Sequence, residues 1–435
     1  MLKRTVDDEL IKWAESDSGK CLMLRGARQV GKTFSSEQLG KSKFESVVSV
    51  NFLEQPELKS VFTGNLDTNS LIMNFSVYLP SARFVPEKTL IILDEIQECP
   101  EAVTSLKFWA KDNRFKVIAT GSMLGIDFKR PISYPVGSVE YINMHPLSFR
   151  EFLYAAGIND DVIGVLEQCC NEYRKVPDAI NERMMNLLRQ YLVVGGMPEA
   201  VSAYFENNSL IEADKVLRRI LNDYRYDIAH YASPDIKIKA EKCYFSLADQ
   251  LSKENHKFQY GLIEKGGNAR KFGSSLDWLN NADLTRTSYN LTSLEIPFSS
   301  HFDSNNFRLY PTDIGLLVSM YEYMIKGALL DPSYKVLAGN TKGGLYEALI
   351  ADMLIKSGHD LYYRKNEQAT FEIEFLLERP EGIIPVEVKA GHSRSRSLDN
   401  LLKKESIPYG YKLIDGNVGK DGKKITLPLY MAMFL

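Results

Sequence analysis

The chain has 435 residues, a formal net charge of -3 and a hydrophobic content of 44%. Because a single hydrophobic core rarely serves more than about 250–300 residues, this length predicts several domains. The 53 Lys and Arg residues balance 56 Asp and Glu residues, which excludes a general electrostatic attraction to nucleic acid or membranes. Any such binding would need a local basic patch.

Cysteine usage and hydropathy indicate where the protein works. The five cysteines form no CxxC pair, which favours a reducing compartment over a disulfide scaffold. No apolar signal segment opens the chain, and no later run approaches the ~20 apolar residues of a membrane span. We therefore expect a cytoplasmic protein with no membrane partner.

The first part of the chain alternates short apolar runs with helical segments. The runs at 21–24, 47–51, 90–93 and 116–120 are typical of strands buried on both faces, with helices between them. This pattern predicts the α/β class, with a parallel sheet wrapped by helices. We expect this core to occupy residues 1–148.

Three further segments follow the core. Residues 149–234 have a helical period throughout and predict a helical lid. Residues 235–329 read as two helices followed by an extended stretch, which suggests a winged-helix domain. Residues 330–435 combine a helix with several strands and predict an α/β domain of their own.

A phosphate-binding motif lies between the first predicted strand and a helix. Residues 26–33 fit GxxxxGK[ST], in which backbone N–H groups and the helix N-terminus bind phosphates, Lys32 reaches the β- and γ-phosphates, and Thr33 ligates Mg²⁺. We therefore expect ATP and ADP as ligands and Mg²⁺ as cofactor. The expected nucleotide contacts are Gly26, Arg28, Gln29, Val30, Gly31, Lys32, Thr33 and Phe34.

Two acidic residues follow the run at 90–93. Asp94 and Glu95 stand at the carboxyl end of this predicted strand, where open α/β sheets bind ligands. Asp94 is expected to hold Mg²⁺ and also contact the nucleotide site, while Glu95 is expected to act as general base for the attacking water.

The remaining parts of a hydrolytic site are harder to place. Ser122, just after the strand at 116–120, is either a γ-phosphate sensor or a helix N-cap. Arg130 is the preferred transition-state arginine, although Arg28, Arg83 and Arg150 also lie in suitable segments. For each of these arginines taken singly, the pattern favours a solvated surface residue.

The last segment contains a second set of acidic residues. Alternation along 383–389 places Glu387 and Lys389 on one face of a strand, Glu374 lies on the preceding strand, expected at 371–377, and Glu347 faces inward from a helix. Three carboxylates and a lysine are what a Mg²⁺-dependent phosphodiesterase needs, with Glu374 and Glu387 as metal ligands. An ExK triplet alone is uninformative, because about one is expected by chance in a chain of this length.

A basic run overlaps this set. Residues 389–404 contain five cations against the single acid Asp399. Such a run either meets phosphates or forms a solvated face.

Five motifs together resemble a known family. They are RGARQVGKT at 25–33, ILDEIQ at 92–97, ATGS at 119–122, PLSFREF at 146–152 and GGMP at 195–198. In order and spacing they resemble the prokaryotic AAA-superfamily ATPases (AAA_14 type) that carry a C-terminal domain of the DUF4143 type.

The resemblance implies an AAA/STAND-type ATPase with a helical lid, a winged helix and a terminal domain similar to the PD-(D/E)xK nuclease fold. It also implies that Pro198 belongs to a GxP turn near the adenine, the alternative being a helix-ending turn without a ligand. The middle acid of the nuclease pattern is commonly Asp, whereas this chain has Glu374.

Two functions follow from these expectations. The first is an ATP-hydrolysing AAA-type protein that acts on nucleic acid, with DNA as partner. The second is a STAND-like switch whose nucleotide state controls a protein partner and whose nuclease fold is inert. A metabolic kinase fits poorly, because Asp94 and Glu95 point to water activation. Both a monomer and an oligomer are compatible with the sequence.

Overall fold

The computed structural model describes residues 2–121, 135–331, 337–366, 368, 370–389 and 395–435. The chain forms two compact units. The first comprises Lys3–His145 with Asn281–Asp283, and the second comprises Pro146–Asn280 with Leu284–Leu435. Within the described ranges, no helix has both the length and the apolar character needed to cross a bilayer.

The first unit is a parallel sheet with helices, which confirms the α/β class. Its order along the sheet is β2-β3-β4-β1-β5, and every pairing is parallel. Its strands are β1 (Cys21–Arg25), β2 (Ser46–Asn51), β3 (Thr89–Asp94), β4 (Lys116–Thr120) and β5 (Val139–Asn143), and its helices are α1 (Val6–Glu15), α2 (Lys32–Lys43), α3 (Thr68–Tyr78) and α4 (Pro100–Asp112).

Strand β3 shows why the apolar runs become central strands. All six of its residues are buried. Leu90 and Ile92 pack into the hydrophobic cluster on one face, and Ile91 and Leu93 into the cluster on the other. Side chains alternate across a strand, so a strand covered on both faces reads as a continuous apolar run.

The register of the sheet brings several strand ends together. Asn51 pairs with Asp94, Leu93 pairs with Ala119, and Leu24 pairs with Thr120. The carboxyl ends of β1, β2, β3 and β4 therefore meet at one edge, which is where ligands of open α/β sheets bind.

The second unit is larger and mixes helices with two sheets. Its helices are α5 (Phe149–Ala155), α6 (Asp160–Asn171), α7 (Asp178–Val194), α8 (Pro198–Asn207), α9 (Leu210–Tyr231), α10 (Pro234–Phe245), α11 (Leu247–Leu251), α12 (Tyr260–Ile263), α13 (Ala269–Asn281), α14 (Ile314–Ser319), α15 (Met324–Leu330), α16 (Gly339–Lys356) and α17 (Arg396–Leu401). Its strands are β6 (Thr285–Leu291), β7 (Phe302–Pro311), β8 (Tyr362–Lys365), β9 (Glu372–Ile373), β10 (Phe375–Arg379), β11 (Gly382–Lys389), β12 (Gly410–Ile414), β13 (Gly419–Asp421) and β14 (Lys424–Pro428).

One sheet of the second unit crosses the domain boundary expected near residue 330. Its order is β7-β6-β8-β9. Strands β6 and β7 form an antiparallel hairpin, and β6 also pairs in parallel with β8 through Tyr289 and Tyr362. The hairpin before residue 330 and the strands after it thus share one sheet. The division into lid, winged helix and nuclease-like domain stays a prediction.

The other sheet carries most of the C-terminal strands, in the order β10-β11-β12-β14-β13. The single strand expected at 371–377 is wrong in one respect, because the structure divides it at Glu374. Ile373 pairs with β8, whereas Phe375 pairs with β11 in the second sheet. Glu374 therefore lies at the junction between the two sheets.

Candidate functional site

The phosphate-binding loop joins β1 to α2 and depends on two glycines. Gly26 has φ of 147°, and a Cβ there would lie 2.1 Å from the carbonyl oxygen of Met144. Gly31, which precedes α2, has φ of 97°, in the left-handed region that glycine tolerates best. The backbone of the loop therefore leads into the N-terminus of α2, where the helix dipole is positive and favours anion binding.

Lys32 is folded back onto this loop. Its Nζ donates to the carbonyl oxygens of Gly26 at 3.0 Å and Ala27 at 2.7 Å. Burial lowers the pKa of Lys32 to about 8, although the carboxylates of Glu95 and Asp94 act in the opposite direction. The ammonium is thus held by carbonyl groups that a phosphate can replace.

Asp94 is the centre of a polar cluster at the strand ends. Its side chain accepts hydrogen bonds from Thr33 Oγ1 at 2.9 Å, from Asn51 Nδ2 at 3.1 Å and from the hydroxyl of Thr120. A hydroxyl beside a buried carboxylate, next to the phosphate loop, fits Mg²⁺. Thr33 and Asp94 are the residues that would hold it.

Asn51 and Thr120 were not anticipated as part of this cluster. Both are the last residues of their strands, β2 and β4. The available signal was their position, because the ends of neighbouring parallel strands converge on one edge of the sheet.

Glu95 follows Asp94 in an unusual backbone conformation. Its φ is 51°, in the left-handed region that a non-glycine residue rarely adopts. Gln97 Nε2 donates a hydrogen bond to Glu95 Oε2, and a Cβ on Gly121 would lie 2.6 Å from Gln97 Oε1. Gln97 therefore orients the carboxylate of Glu95, and Gly121 leaves room for Gln97.

Two further side chains contact the backbone of the loop. Arg4 donates to the carbonyl oxygens of Val30 at 3.0 Å and His145 at 2.7 Å. The Asp283 carboxylate accepts a hydrogen bond from the N–H of Ala27 at 3.2 Å. No sequence motif marks either residue, because each lies far along the chain from the loop.

The other expected nucleotide contacts differ in their surroundings. Val30 is buried, whereas Phe34 is 51% exposed on the first turns of α2. Arg28 and Gln29 are in the loop itself, where Gln29 has φ of 65°. Ser122 and Arg130, the expected sensor and transition-state arginine, lie outside the described residues.

The GGMP motif forms a tightly packed turn in the second unit. Pro198 is the first residue of α8. Gly196 accepts from the N–H of Leu147 at 2.6 Å and donates to Asp313 Oδ2 at 2.6 Å. A Cβ on Gly196 would lie 2.1 Å from the carbonyl oxygen of Leu147. Close packing within this unit is therefore sufficient to require glycine here.

Glu347 belongs to a buried ion-pair network. Its carboxylate accepts from Arg308 Nη1 at 2.7 Å and from the hydroxyl of Tyr310, and it lies 2.7 Å from His256 Nδ1. Burial by itself raises the pKa of Glu347, but Arg308 and His256 outweigh it and lower the pKa to about 2. Arg308 also pairs with Glu372.

Glu374 and Glu387 share a lysine. Lys389 Nζ lies 3.1 Å from Glu374 Oε1 and 3.3 Å from Glu387 Oε1. Burial raises the pKa of Glu374 to about 7, with Lys389 opposing and the carboxylates of Glu347 and Glu387 adding to the rise. The four residues expected to act together thus come close as two adjacent ion-pair groups.

These contacts do not fit the metal site expected at Glu374 and Glu387. The described residues contain no group of three His, Cys, Asp or Glu side chains that could hold a metal ion. The Lys389 ammonium contacts both carboxylates, and the two oxygens of Glu347 already contact Arg308 and His256. A lysine ammonium therefore lies between the two acids where the sequence led us to expect Mg²⁺.

Family comparisons agree with the geometry of the first unit. Residues 18–153 match the family model of the AAA domain, so the first unit is a P-loop ATPase domain of the AAA class. Residues 342–430 match a domain of unknown function, DUF4143, and residues 185–326 match another, DUF8612. The chain is thus an AAA-domain protein with a C-terminal DUF4143 domain, as the five motifs indicated.

Solved structures give distant similarities. The Walker-type ATPase PABY2304 of Pyrococcus abyssi is 12% identical, with 74% of this chain and 96% of that chain covered and a TM-score of 0.40. The Aeropyrum pernix ORC1 protein in complex with DNA is 10% identical, with coverages of 77% and 93% and a TM-score of 0.27. At these scores the likeness carries no argument about function. No curated protein matches the chain significantly.

Proposed function

We propose that this protein hydrolyses ATP and couples the hydrolysis to work on nucleic acid. One observation carries the hydrolytic part of this proposal: the hydroxyl of Thr33 and the ammonium of Lys32 lie on the phosphate-binding loop beside the carboxylate of Asp94, which Glu95 follows directly. These are the parts that phosphoryl transfer to water requires.

Each residue has a specific role in this proposal. The backbone of residues 26–33 binds the phosphates, and Lys32 exchanges its carbonyl contacts for phosphate oxygens. Thr33 and Asp94 would hold Mg²⁺, which would supply neutralisation of the charge on the phosphates. Glu95 accepts the proton of the attacking water while Gln97 keeps its carboxylate oriented.

Three roles extend the proposal beyond the geometry described. Ser122 senses the γ-phosphate, Arg130 stabilises the transition state, and Pro198 contacts the adenine. All three follow from the motifs and from the resemblance to AAA-superfamily ATPases.

The hydrolytic part is tested by replacing Glu95→Gln. ATP should still bind, but turnover should fall at least ~100-fold, since a positioned general base contributes about 10²–10⁴ in rate. Glu101→Gln, an acid at the start of α4, is the matched control and should keep normal turnover. Turnover that survives Glu95→Gln would remove Glu95 from the mechanism.

For the second unit we propose binding of nucleic acid without cleavage. Helices α10–α13 followed by the β6–β7 hairpin have the order of a winged helix, and α16 followed by β10 and β11 has the order of a PD-(D/E)xK-like domain. Because Lys389 contacts Glu374 and Glu387, we expect no Mg²⁺-dependent cleavage. ATP turnover should rise on addition of DNA, while a supercoiled plasmid with Mg²⁺ should remain intact.

One observation favours the alternative, a nucleotide-dependent switch that controls a protein partner. The negative charge of Asp283 lies at the N–H of Ala27, where it opposes an incoming phosphate. Nucleotide binding would then weaken this contact and change the state of the segment that carries it. Asp283→Asn should tighten ATP binding several-fold; slow turnover with retained nucleotide, and a protein partner bound in one nucleotide state only, would favour the switch.

A further inference from the structure

The second unit contains a cavity away from the residues discussed so far. It has a volume of about 440 Å³, within the ~300–1,000 Å³ of ordinary ligand sites. Its lining comes from the segment after β6, from β8 and the residues between β8 and β9, and from α17 with the residues after it.

The floor of the cavity is apolar and contains an aromatic ring. Leu294, Phe371 and Leu401 line it and belong to one hydrophobic cluster, in which Leu401 is buried and the other two are partly exposed. Phe371 is held by two hydrogen bonds with Asn366, from its N–H to Asn366 Oδ1 at 3.0 Å and from the Asn366 N–H to its carbonyl at 3.1 Å. These two bonds fix the backbone of Phe371, whose ring lines the cavity and offers a surface to a planar group.

The rim of the cavity is cationic. Arg364 and Lys404 line it, and the described lining contains no carboxylate. Arg364 is anchored by a hydrogen bond from Nη1 to the carbonyl oxygen of Leu291 at 2.5 Å, which leaves its other nitrogens for a ligand. This cationic rim therefore favours an anionic ligand.

A second cavity in the same unit serves as a comparison, because its arginines are paired with carboxylates. It is lined by Arg218 and Arg225, but Arg218 lies 2.8 Å from Asp214 and Arg225 lies 3.5 Å from Glu241. Two arginines that already have carboxylate partners offer little to an anion. The cavity beside Phe371 is therefore the stronger candidate.

One carboxamide, that of Asn400, completes the site, because the side chain of Asn366 already hydrogen-bonds Phe371 and Thr370. Asn366 and Asn400 also line the cavity, and Lys403 Nζ donates to Asn400 Oδ1 at 3.2 Å, which leaves the Asn400 amide hydrogens available. Asparagine side chains can hydrogen-bond the edges of bases, and aromatic rings stack on their faces.

We propose that this cavity binds a nucleotide unit, either free or within a single strand, with the base on Phe371 and the phosphate at Arg364 and Lys404. An aromatic floor with a cationic rim is the combination that single-stranded nucleic acid recognition uses. The inference rests on the proposed action on nucleic acid, and it identifies this cavity as the site where the nucleotide binds.

The test uses the full chain and a fluorescein-labelled single strand of twelve deoxyadenylates, with binding followed by fluorescence anisotropy at low and moderate salt. Phe371→Leu and Arg364→Gln should each weaken binding about tenfold. Lys404→Gln, at an exposed position where folding is not at risk, should weaken it several-fold and reduce the salt dependence by about one phosphate contact. Lys253→Gln, an exposed lysine elsewhere in the unit, is the control and should leave binding unchanged.

Two results would overturn the assignment to this cavity even though the wild-type chain binds the strand. If the wild-type chain binds the strand and the three variants bind equally well, the cavity is not the site and the proposed action on nucleic acid stands. If polyglutamate displaces the strand as well as unlabelled DNA does, the rim recognises charge alone and the ligand is an acidic protein segment.

If the wild-type chain binds no strand even at low salt, the proposed action on nucleic acid fails. A fluorescent AMP analogue added to Lys32→Ala protein, whose phosphate loop is disabled, then decides the rest. Binding that Phe371→Leu weakens supports a free-nucleotide site, and absence of binding overturns the inference.

Discussion

Two opposing effects act on the charge of Lys32. It must be charged to meet phosphates, yet burial lowers its pKa to about 8 in the absence of nucleotide. A phosphate beside it favours the charged form, so its pKa rises when ATP binds. ATP binding therefore takes up a proton at pH values above 8.

The affinity for ATP should consequently fall above pH 8. Each further pH unit should weaken binding up to ~10-fold, until the pKa of the bound state is reached. The measurement is the Kd of a fluorescent ATP analogue at pH 7, 8 and 9. Lys32→Arg stays charged throughout and, where it binds, should show a flat profile; a flat profile for the wild type would contradict the prediction.

Glu374 makes a second pH-dependent contribution, to stability. Its pKa is raised from an ordinary 4.5 to about 7, chiefly by burial. Between these values the folded state keeps a proton that the unfolded state has released, so stability falls as pH rises through this window. The loss amounts to about 3 kcal/mol if the full shift applies.

Glu374→Gln should therefore become stabilising, relative to the wild type, as pH increases from 5 to 8. The measurement is the difference in Tm between the two proteins at pH 5, 6, 7 and 8. Glu405→Gln, at an exposed position, should give a constant difference. A Tm difference for Glu374→Gln that shrinks with pH would show that Lys389 outweighs the burial.

At the scale of elements, the turn before α8 requires glycine at position 196, because there is no room for a Cβ atom. A Cβ on Gly196 would lie 2.1 Å from the oxygen and 2.8 Å from the nitrogen of Leu147, which are backbone atoms that cannot move independently. Gly196→Ala should destabilise the second unit by at least ~1–3 kcal/mol through overpacking. Scanning calorimetry of the full chain measures the effect.

Gly164→Ala is the matched control for this substitution. Gly164 lies within α6, and a Cβ there would meet no atom within 4 Å. Alanine is favoured over glycine in helices by about 1 kcal/mol, so this substitution should raise the Tm. Equal effects of the two substitutions would refute the packing explanation.

Elements buried on both faces were the most predictable part of the fold. The run at 90–93 became β3, and the loop at 26–33 was clear because its chemistry needs a fixed spacing. Strand β5 was not anticipated, because its exposed and half-buried positions interrupt the apolar pattern at the edge of the sheet. The division of 371–377 was also missed, since alternation shows which face a residue takes but not which strand it pairs with.

Long-range contacts were the least predictable part of the candidate site. Arg4 hydrogen-bonds the carbonyl of Val30, which is distant in sequence. Asn51 hydrogen-bonds Asp94 because the sheet register pairs the two residues. Neither belongs to a motif of consecutive residues. By contrast, Thr33 and Asp94 were expected to meet because their two motifs have complementary roles at one ligand, and the structure places them 2.9 Å apart.

At the scale of the whole molecule, the terminal segment depends on residues that precede it. Strand β8 pairs with β6, and the fully buried Arg308 of β7 neutralises Glu347 of α16. A fragment of residues 330–435 would lose both, and a buried charge left without its partner costs about 3–5 kcal/mol. We expect this fragment to lack cooperative folding.

A fragment of residues 146–435 retains these partners and should fold. Amide proton dispersion in ¹⁵N-correlated NMR spectra and a calorimetric transition distinguish the two outcomes. A well-dispersed spectrum from residues 330–435 alone would show that the shared sheet and Arg308 are dispensable for that segment.

The position of Arg308 also has a consequence for the order of events on the ribosome. Its carboxylate partners, Glu347 and Glu372, are synthesised after it. A nascent chain that has emerged only as far as β7 therefore carries a guanidinium whose native counter-charges do not yet exist, and enclosing it would be unfavourable. The strands of the first unit up to β5 are complete earlier and can begin to assemble during synthesis, whereas the β6–β7 hairpin must wait for the last quarter of the polypeptide to emerge.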